Sequence, residues 1–162
     1  MSASIISGKT LAAQVKQEAA QRVRELQAQG INPCLAVIMV GDNPASAAYV
    51  KGKAKDCAEC GIDSRVIHLP QQTTQQELLA LVDELARDDA VHGLLVQLPL
   101  PEQIDDQAVI NAIPPEKDVD GFHPLNVAAL WQKQDCILPC TPKGIIKMLK
   151  VAGVEIKGKR AV

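Results

Sequence analysis

Cys34–Val40 is an unbroken run of seven apolar residues, and Asn43-Pro44 follows it after only Gly41-Asp42. An apolar run without alternation describes a strand covered on both faces. Asparagine is a favoured N-cap and proline is pre-shaped for the first helical position, so Asn43-Pro44 opens a helix. Gly61 supplies its stop. A doubly covered strand that runs straight into a helix is half of a βαβ unit. That pairing commits the chain to an α/β fold with a parallel sheet.

The rest of the chain repeats the alternation. A first amphipathic helix is predicted from Lys9 to Gln29, with Leu11, Val15, Ala19, Val23 and Leu26 on one stripe and Gly30 as its end. A second strand is predicted over Asp63–Leu69. Thr74-x-x-Glu77 is a capping box that opens a helix running through Arg87. A third strand spans Gly93–Leu98, and Asp105 begins a short helix to Ile113. Pro114 to Pro124 is rich in turn residues. Thr141-Pro142 opens a last helix that Gly153 closes, and Lys159-Arg160-Ala161-Val162 has the composition of another strand's first residues. The expected architecture is three layers, a parallel sheet flanked by helices, with right-handed crossovers. The apolar 47% of the chain fits such a core.

Composition removes several function classes. Net charge is −2, with no basic stripe, and aromatics are 2% of the chain, too few for base stacking, so no nucleic-acid partner is expected. No apolar run approaches the roughly 20 residues of a membrane helix. Met1 to Thr10 lacks a hydrophobic signal core, which leads us to expect a cytoplasmic protein. The cysteines at 34, 57, 60, 136 and 140 are odd in number, which favours reduced thiols. Cys57-x-x-Cys60 invites a zinc reading, but it lies within a helix and its partners Cys136 and Cys140 have the wrong spacing. Small, partly buried helix residues are the simpler account, and no metal is expected.

Three segments carry chemistry. Tyr49 and Lys53 are four apart on the helix that Asn43 opens, so they share one face just beyond a strand's carboxyl end. A phenol beside an amine can move protons. The same spacing also describes a solvated surface pair, although Tyr49 is the sole tyrosine. In Val96-Gln97-Leu98-Pro99-Leu100-Pro101 an amide ends an apolar strand, and prolines stop the ladder. Gln97 offers a donor and an acceptor, to a ligand or to neighbouring backbone. In Lys117-Asp118-Val119-Asp120-Gly121-Phe122-His123-Pro124, two acids beside a glycine suggest a tight loop with both carboxylates outward. Such a carboxylate can grip an amidine-like edge with two parallel hydrogen bonds; a solvated acidic turn has the same sequence.

Together these segments, with Pro139-Cys140-Thr141-Pro142-Lys143-Gly144, resemble the bifunctional methylenetetrahydrofolate dehydrogenase/methenyltetrahydrofolate cyclohydrolase family in motif, order and spacing. The resemblance covers essentially the whole chain. It implies that Lys53, Tyr49 and Gln97 serve the chemistry. It implies that Asp120 holds the pterin, with Ser46, Tyr49, Gln97, Leu98 and Pro99 also lining the site for tetrahydrofolate derivatives. One departure is Ala128-Ala129, where bacterial relatives often carry glycine and arginine. The resemblance further implies NADP as cofactor, bound by a Rossmann-type second domain beyond Val162, and a homodimer when full length. On this reading residues 1–140 are the folate-binding catalytic domain. Residues 141–162 are an inter-domain helix and the start of a truncated nucleotide domain.

Two rivals are separable. Short-chain dehydrogenases also use Tyr-x-x-x-Lys, but need a glycine-rich dinucleotide turn, and no Gly-x-Gly-x-x-Gly occurs here. A non-enzymatic folate-binding module would bind without turnover.

Overall fold

The computed structural model describes residues 5–160. The helices are α1 (Gly8–Gln27), α2 (Pro44–Cys60), α3 (Gln75–Arg87), α4 (Asp106–Ala112), α5 (Pro124–Trp131) and α6 (Cys140–Val151). The strands are β1 (Cys34–Val40), β2 (Asp63–Leu69) and β3 (Gly93–Val96), all parallel in the order β2-β1-β3.

β1 is central, and its apolar run divides between two cores. Ala36, Ile38 and Val40 face one way, onto Leu78, Val82 and Leu85 of α3 and Val109 of α4. Val37 and Met39 face the other, onto Val50 of α2 and Leu95 of β3. Both faces are covered, which is why the strand shows no polar alternation. β2 is an outer strand and largely exposed, with only Ser64, Ile67 and Leu69 half-buried.

The local signals act as their chemistry predicts. Asn43 accepts from the amides of Ala45 and Ser46, and Gly61 closes α2 at φ +77°. Thr74 and Glu77 form the reciprocal capping box of α3.

Five expectations need correction. β3 ends at Val96 and not at Leu98: Gln97 N–H makes the last ladder bond, to Ile38 O, and Pro99 has no amide to continue. The Leu98–Pro99 peptide is cis. α6 begins at Cys140 with no side-chain cap, so Thr141 lies inside the helix it was expected to open. The turn-rich stretch leads into an unanticipated helix, α5, capped by His123 accepting from Leu125 N–H. The α1 stripe is only partly covered: Val23 is buried, and Val15 faces outward. Lys159 and Arg160 are irregular backbone, and Ala161 and Val162, like Met1 to Ser4, lie outside the described residues.

Candidate functional site

Three parallel strands open their carboxyl ends on one edge, and the three chemical segments are the loops at that edge. β1 delivers α2, which carries Tyr49 and Lys53. β3 delivers Gln97. The segment after α4 lies alongside β3, with Leu94 N–H donating to Lys117 O at 2.8 Å and Asp118 bridging Leu94. Residues 49, 53, 97 and 120 therefore converge because β1 and β3 are neighbours and the 117–119 segment extends the sheet past β3.

Lys53 is half-buried. Its Nζ donates to Gln97 Oε1 at 3.2 Å and sits 5.9 Å from the centre of the Tyr49 ring. Gln97 Nε2 donates to Leu98 O at 2.7 Å. That second bond orients the amide, so its oxygen, the acceptor end, faces the lysine. Tyr49 is 67% exposed, a ring free for stacking against a planar ligand. Leu98 is half-buried and Pro99 exposed at the same rim. Ser46 is buried on α2, and its hydroxyl has no hydrogen-bond partner.

The acidic loop departs from its expected form. Asp120 is half-buried at the mouth, but Asp118 points inward and is 4% exposed. Asp118 Oδ1 accepts from Gly121 N–H at 3.1 Å. Its Oδ2 accepts from His123 N–H at 2.8 Å and from Asn126 Nδ2 at 2.9 Å. Sequence spacing treated the two acids as equivalent. The one visible pointer to their difference was His123-Pro124, the same cap-proline pairing as Asn43-Pro44, which starts a helix here and brings Asn126 inward. Burial pushes the Asp120 carboxyl above its ordinary range; the Lys53 charge pulls it back, and neighbouring Asp118 pushes it further up.

A narrow cleft under this mouth is lined by Leu95, Leu98, Ile113, Asp118, Asp120 and Phe122 among others. A roomier hollow of about 520 Å³ lies at the opposite end of the sheet, around Gly61 and Ser64, and contains none of the chemical segments. Among the described residues no group of three or more His, Cys, Asp or Glu side chains could hold a metal.

Residues 6–120 match the family described as tetrahydrofolate dehydrogenase/cyclohydrolase, catalytic domain. The chain is 52% identical over 160 residues to the bifunctional protein FolD of Oceanobacillus iheyensis, an alignment covering 99% of this chain and 56% of that protein. It superposes on the bifunctional FolD methylenetetrahydrofolate dehydrogenase/cyclohydrolase of Campylobacter jejuni with a TM-score of 0.94 and 51% identity, over 96% of this chain and 56% of that one. The Trypanosoma brucei N5,N10-methylenetetrahydrofolate dehydrogenase-cyclohydrolase, solved with NADP cofactor and inhibitor, follows with a TM-score of 0.93 and 37% identity over 98% and 55%. The chain thus spans little more than half the length of the relatives it matches. With this match over most of its length, the chain belongs to the tetrahydrofolate dehydrogenase/cyclohydrolase catalytic-domain family.

Proposed function

We propose that the chain forms the folate site of a bifunctional methylenetetrahydrofolate dehydrogenase/methenyltetrahydrofolate cyclohydrolase. The carrying observation is the Lys53–Gln97 contact at the strand edge, with Asp120 near enough for its carboxyl to feel the lysine charge. In this reading Asp120 accepts from the amidine-like edge of the pterin, and Tyr49 stacks on the ligand. Ser46, Leu98 and Pro99 complete the lining.

The residues account for the hydrolytic half. Water adds to the methenyl carbon and gives up one proton; the bond from that carbon to N5 then breaks, and the remaining hydroxyl proton passes to N5 as 10-formyltetrahydrofolate forms. Lys53 Nζ is the group placed to take the first of these protons. Gln97 accepts an N–H from Lys53, which fixes where Nζ stands at the mouth of the site. Tyr49 borders the same space. Positioned proton transfer of this kind contributes about 10²–10⁴ in rate.

NADP supplies the hydride acceptor of the oxidative half. The described residues do not fit its pyrophosphate. A dinucleotide cradle needs free amides at a helix N-terminus. The helices that follow the strands have these amides taken: Asn43 holds those of Ala45 and Ser46 at α2, Thr74 that of Glu77 at α3, and Asp105 that of Gln107 at α4; uncapped α6 follows no strand and has Pro142, which lacks an amide, in its first turn. On this reading the cofactor belongs to a nucleotide-binding domain that residues 141–162 would lead into, with residues 1–140 as the folate unit. The same reading extends to a cytoplasmic homodimer feeding one-carbon units to purine, histidine and methionine biosynthesis.

The test is Lys53→Met in the full-length enzyme, followed by the absorbance of 5,10-methenyltetrahydrofolate. Hydrolysis should fall at least about 100-fold with the circular dichroism unchanged. Near-normal formation of the 10-formyl product sinks the assignment.

A further inference from the structure

We propose that Asp118 is a positioning residue for folate recognition: its buried carboxylate, held by Asn126, fixes the turn that presents Asp120. The proposal rests on the reading of Asp120 as the pterin anchor and deepens it.

Asp118 is tied to every part of the frame around Asp120. Its backbone bridges to Leu94, so it is registered on β3. Its Oδ1 holds Gly121 N–H, the amide that immediately follows Asp120, and Gly121 N–H also reaches Asp118 O at 3.3 Å. Its Oδ2 holds His123 N–H and Asn126 Nδ2, which pins the start of α5. Asn126 is itself buried and donates again to Pro115 O at 2.9 Å, on the other side of the loop.

The turn is closed on its remaining sides. A Cβ on Gly93 would lie 2.6 Å from Val119 Cγ1, so Val119 is seated against β3. A Cβ on Gly121 would lie 2.7 Å from Ile137 O, so the 137–139 backbone presses on the far side. Between two clamped residues, 119 and 121, the Asp120 carboxylate retains only its side-chain torsions.

A purely structural role explains the carboxylate poorly. No described lysine or arginine pairs with Asp118; Lys117, its neighbour, spends its Nζ on Ala86 O and Asp88 O. A buried carboxylate with no counter-charge carries a desolvation cost, which its hydrogen bonds must offset. What only a carboxylate supplies here is acceptance of three N–H donors at once. In Asp118→Asn, the amide oxygen can keep the two donors on the Oδ2 side, and the NH₂ group then meets Gly121 N–H, donor against donor. The hydrogen bond that this substitution breaks is the one beside Asp120.

The experiment is a double-mutant cycle with Asp118→Asn, Asp120→Ala and both together. 5-Formyltetrahydrofolate is titrated calorimetrically to millimolar concentration, with thermal unfolding followed in parallel. If Asp118 acts through Asp120, Asp118→Asn weakens binding about tenfold in the native background and less than about twofold once Asp120 is gone. Equal losses in both backgrounds, or no loss in either, overturn the positioning role while leaving the Asp120 reading intact. Native affinity in Asp120→Ala overturns the anchor reading, and the positioning role with it. Should Asp118→Asn fail to fold, Asn126→Ala carries the cycle: it removes one Oδ2 donor and the tie to Pro115 O while leaving both backbone bonds to Asp118, so binding should weaken less, about threefold, and again only where Asp120 is present; an equal loss in both backgrounds, or none in either, overturns the positioning role.

Discussion

Alanine placed at two of the glycines should change stability in opposite directions. Gly121 has φ +67°, where a Cβ is strained, and that Cβ would sit 2.7 Å from Ile137 O and 3.1 Å from Pro139 N, both backbone atoms that no rotamer change can move aside. The left-handed backbone costs an L-residue about 1–2 kcal/mol. Forcing extra volume against fixed neighbours adds roughly 1–3 kcal/mol. Gly121→Ala should therefore destabilise by about 2–5 kcal/mol, which for a domain of this size lowers Tm by roughly 4–20 °C. Gly52 lies inside α2, and a Cβ there meets nothing within 4 Å. Gly52→Ala relieves the helix of its least favourable residue and should stabilise by about 0.5–1 kcal/mol. Thermal unfolding by circular dichroism at 222 nm (the helix band) reads both. A Gly121→Ala variant as stable as the parent would show that the 137–139 backbone yields, and would undo the claim that the loop is clamped.

Two further outcomes follow from the geometry. Asn43→Ala removes the acceptor for the Ala45 and Ser46 amides and should cost about 1 kcal/mol, read as a lower urea midpoint with an unchanged slope; an unchanged midpoint means that α2 is held by its buried face alone. Burial raises the Asp120 carboxyl above its ordinary value of 3.8, so folding favours its protonated form more than the unfolded chain does. That contribution to stability is present below the unfolded pKa and is lost as pH rises through the folded one. A pterin edge needs the ionised form, so folate affinity should decline, on acidification, at a pH above that expected for an unperturbed aspartate. Calorimetric affinities that stay flat until near 3.8 would refute the role of burial.

The sheet and the helices that feed it were legible because each carries a local cause. Cys34–Val40 is apolar throughout because both its faces are covered, Asn43 and Thr74 cap with their own side chains, and Gly61 takes the left-handed turn. The convergence of Lys53 with Gln97 was implied by family resemblance and not by spacing, since 44 residues separate them. What local pattern could not distinguish was Asp118 from Asp120. Their difference depends on Asn126 and the amides of Gly121 and His123, and hence on where α5 starts. β3 was overextended for a related reason: Leu98 is apolar, but the ladder stops where Pro99 removes a donor.

Burial also grades the five thiols by reactivity. Removal from water pushes the Cys34, Cys57 and Cys60 thiols up, which starves them of the thiolate that alkylating reagents attack. Cys140 is exposed, with its Sγ 3.7 Å from Val119 O, beside the turn that carries Asp120. A maleimide dye should therefore label Cys140 ahead of the three buried thiols, with half-buried Cys136 between the two classes. The chain thus brings its own attachment point for an optical reporter at the rim of the ligand mouth, with no cysteine to engineer in.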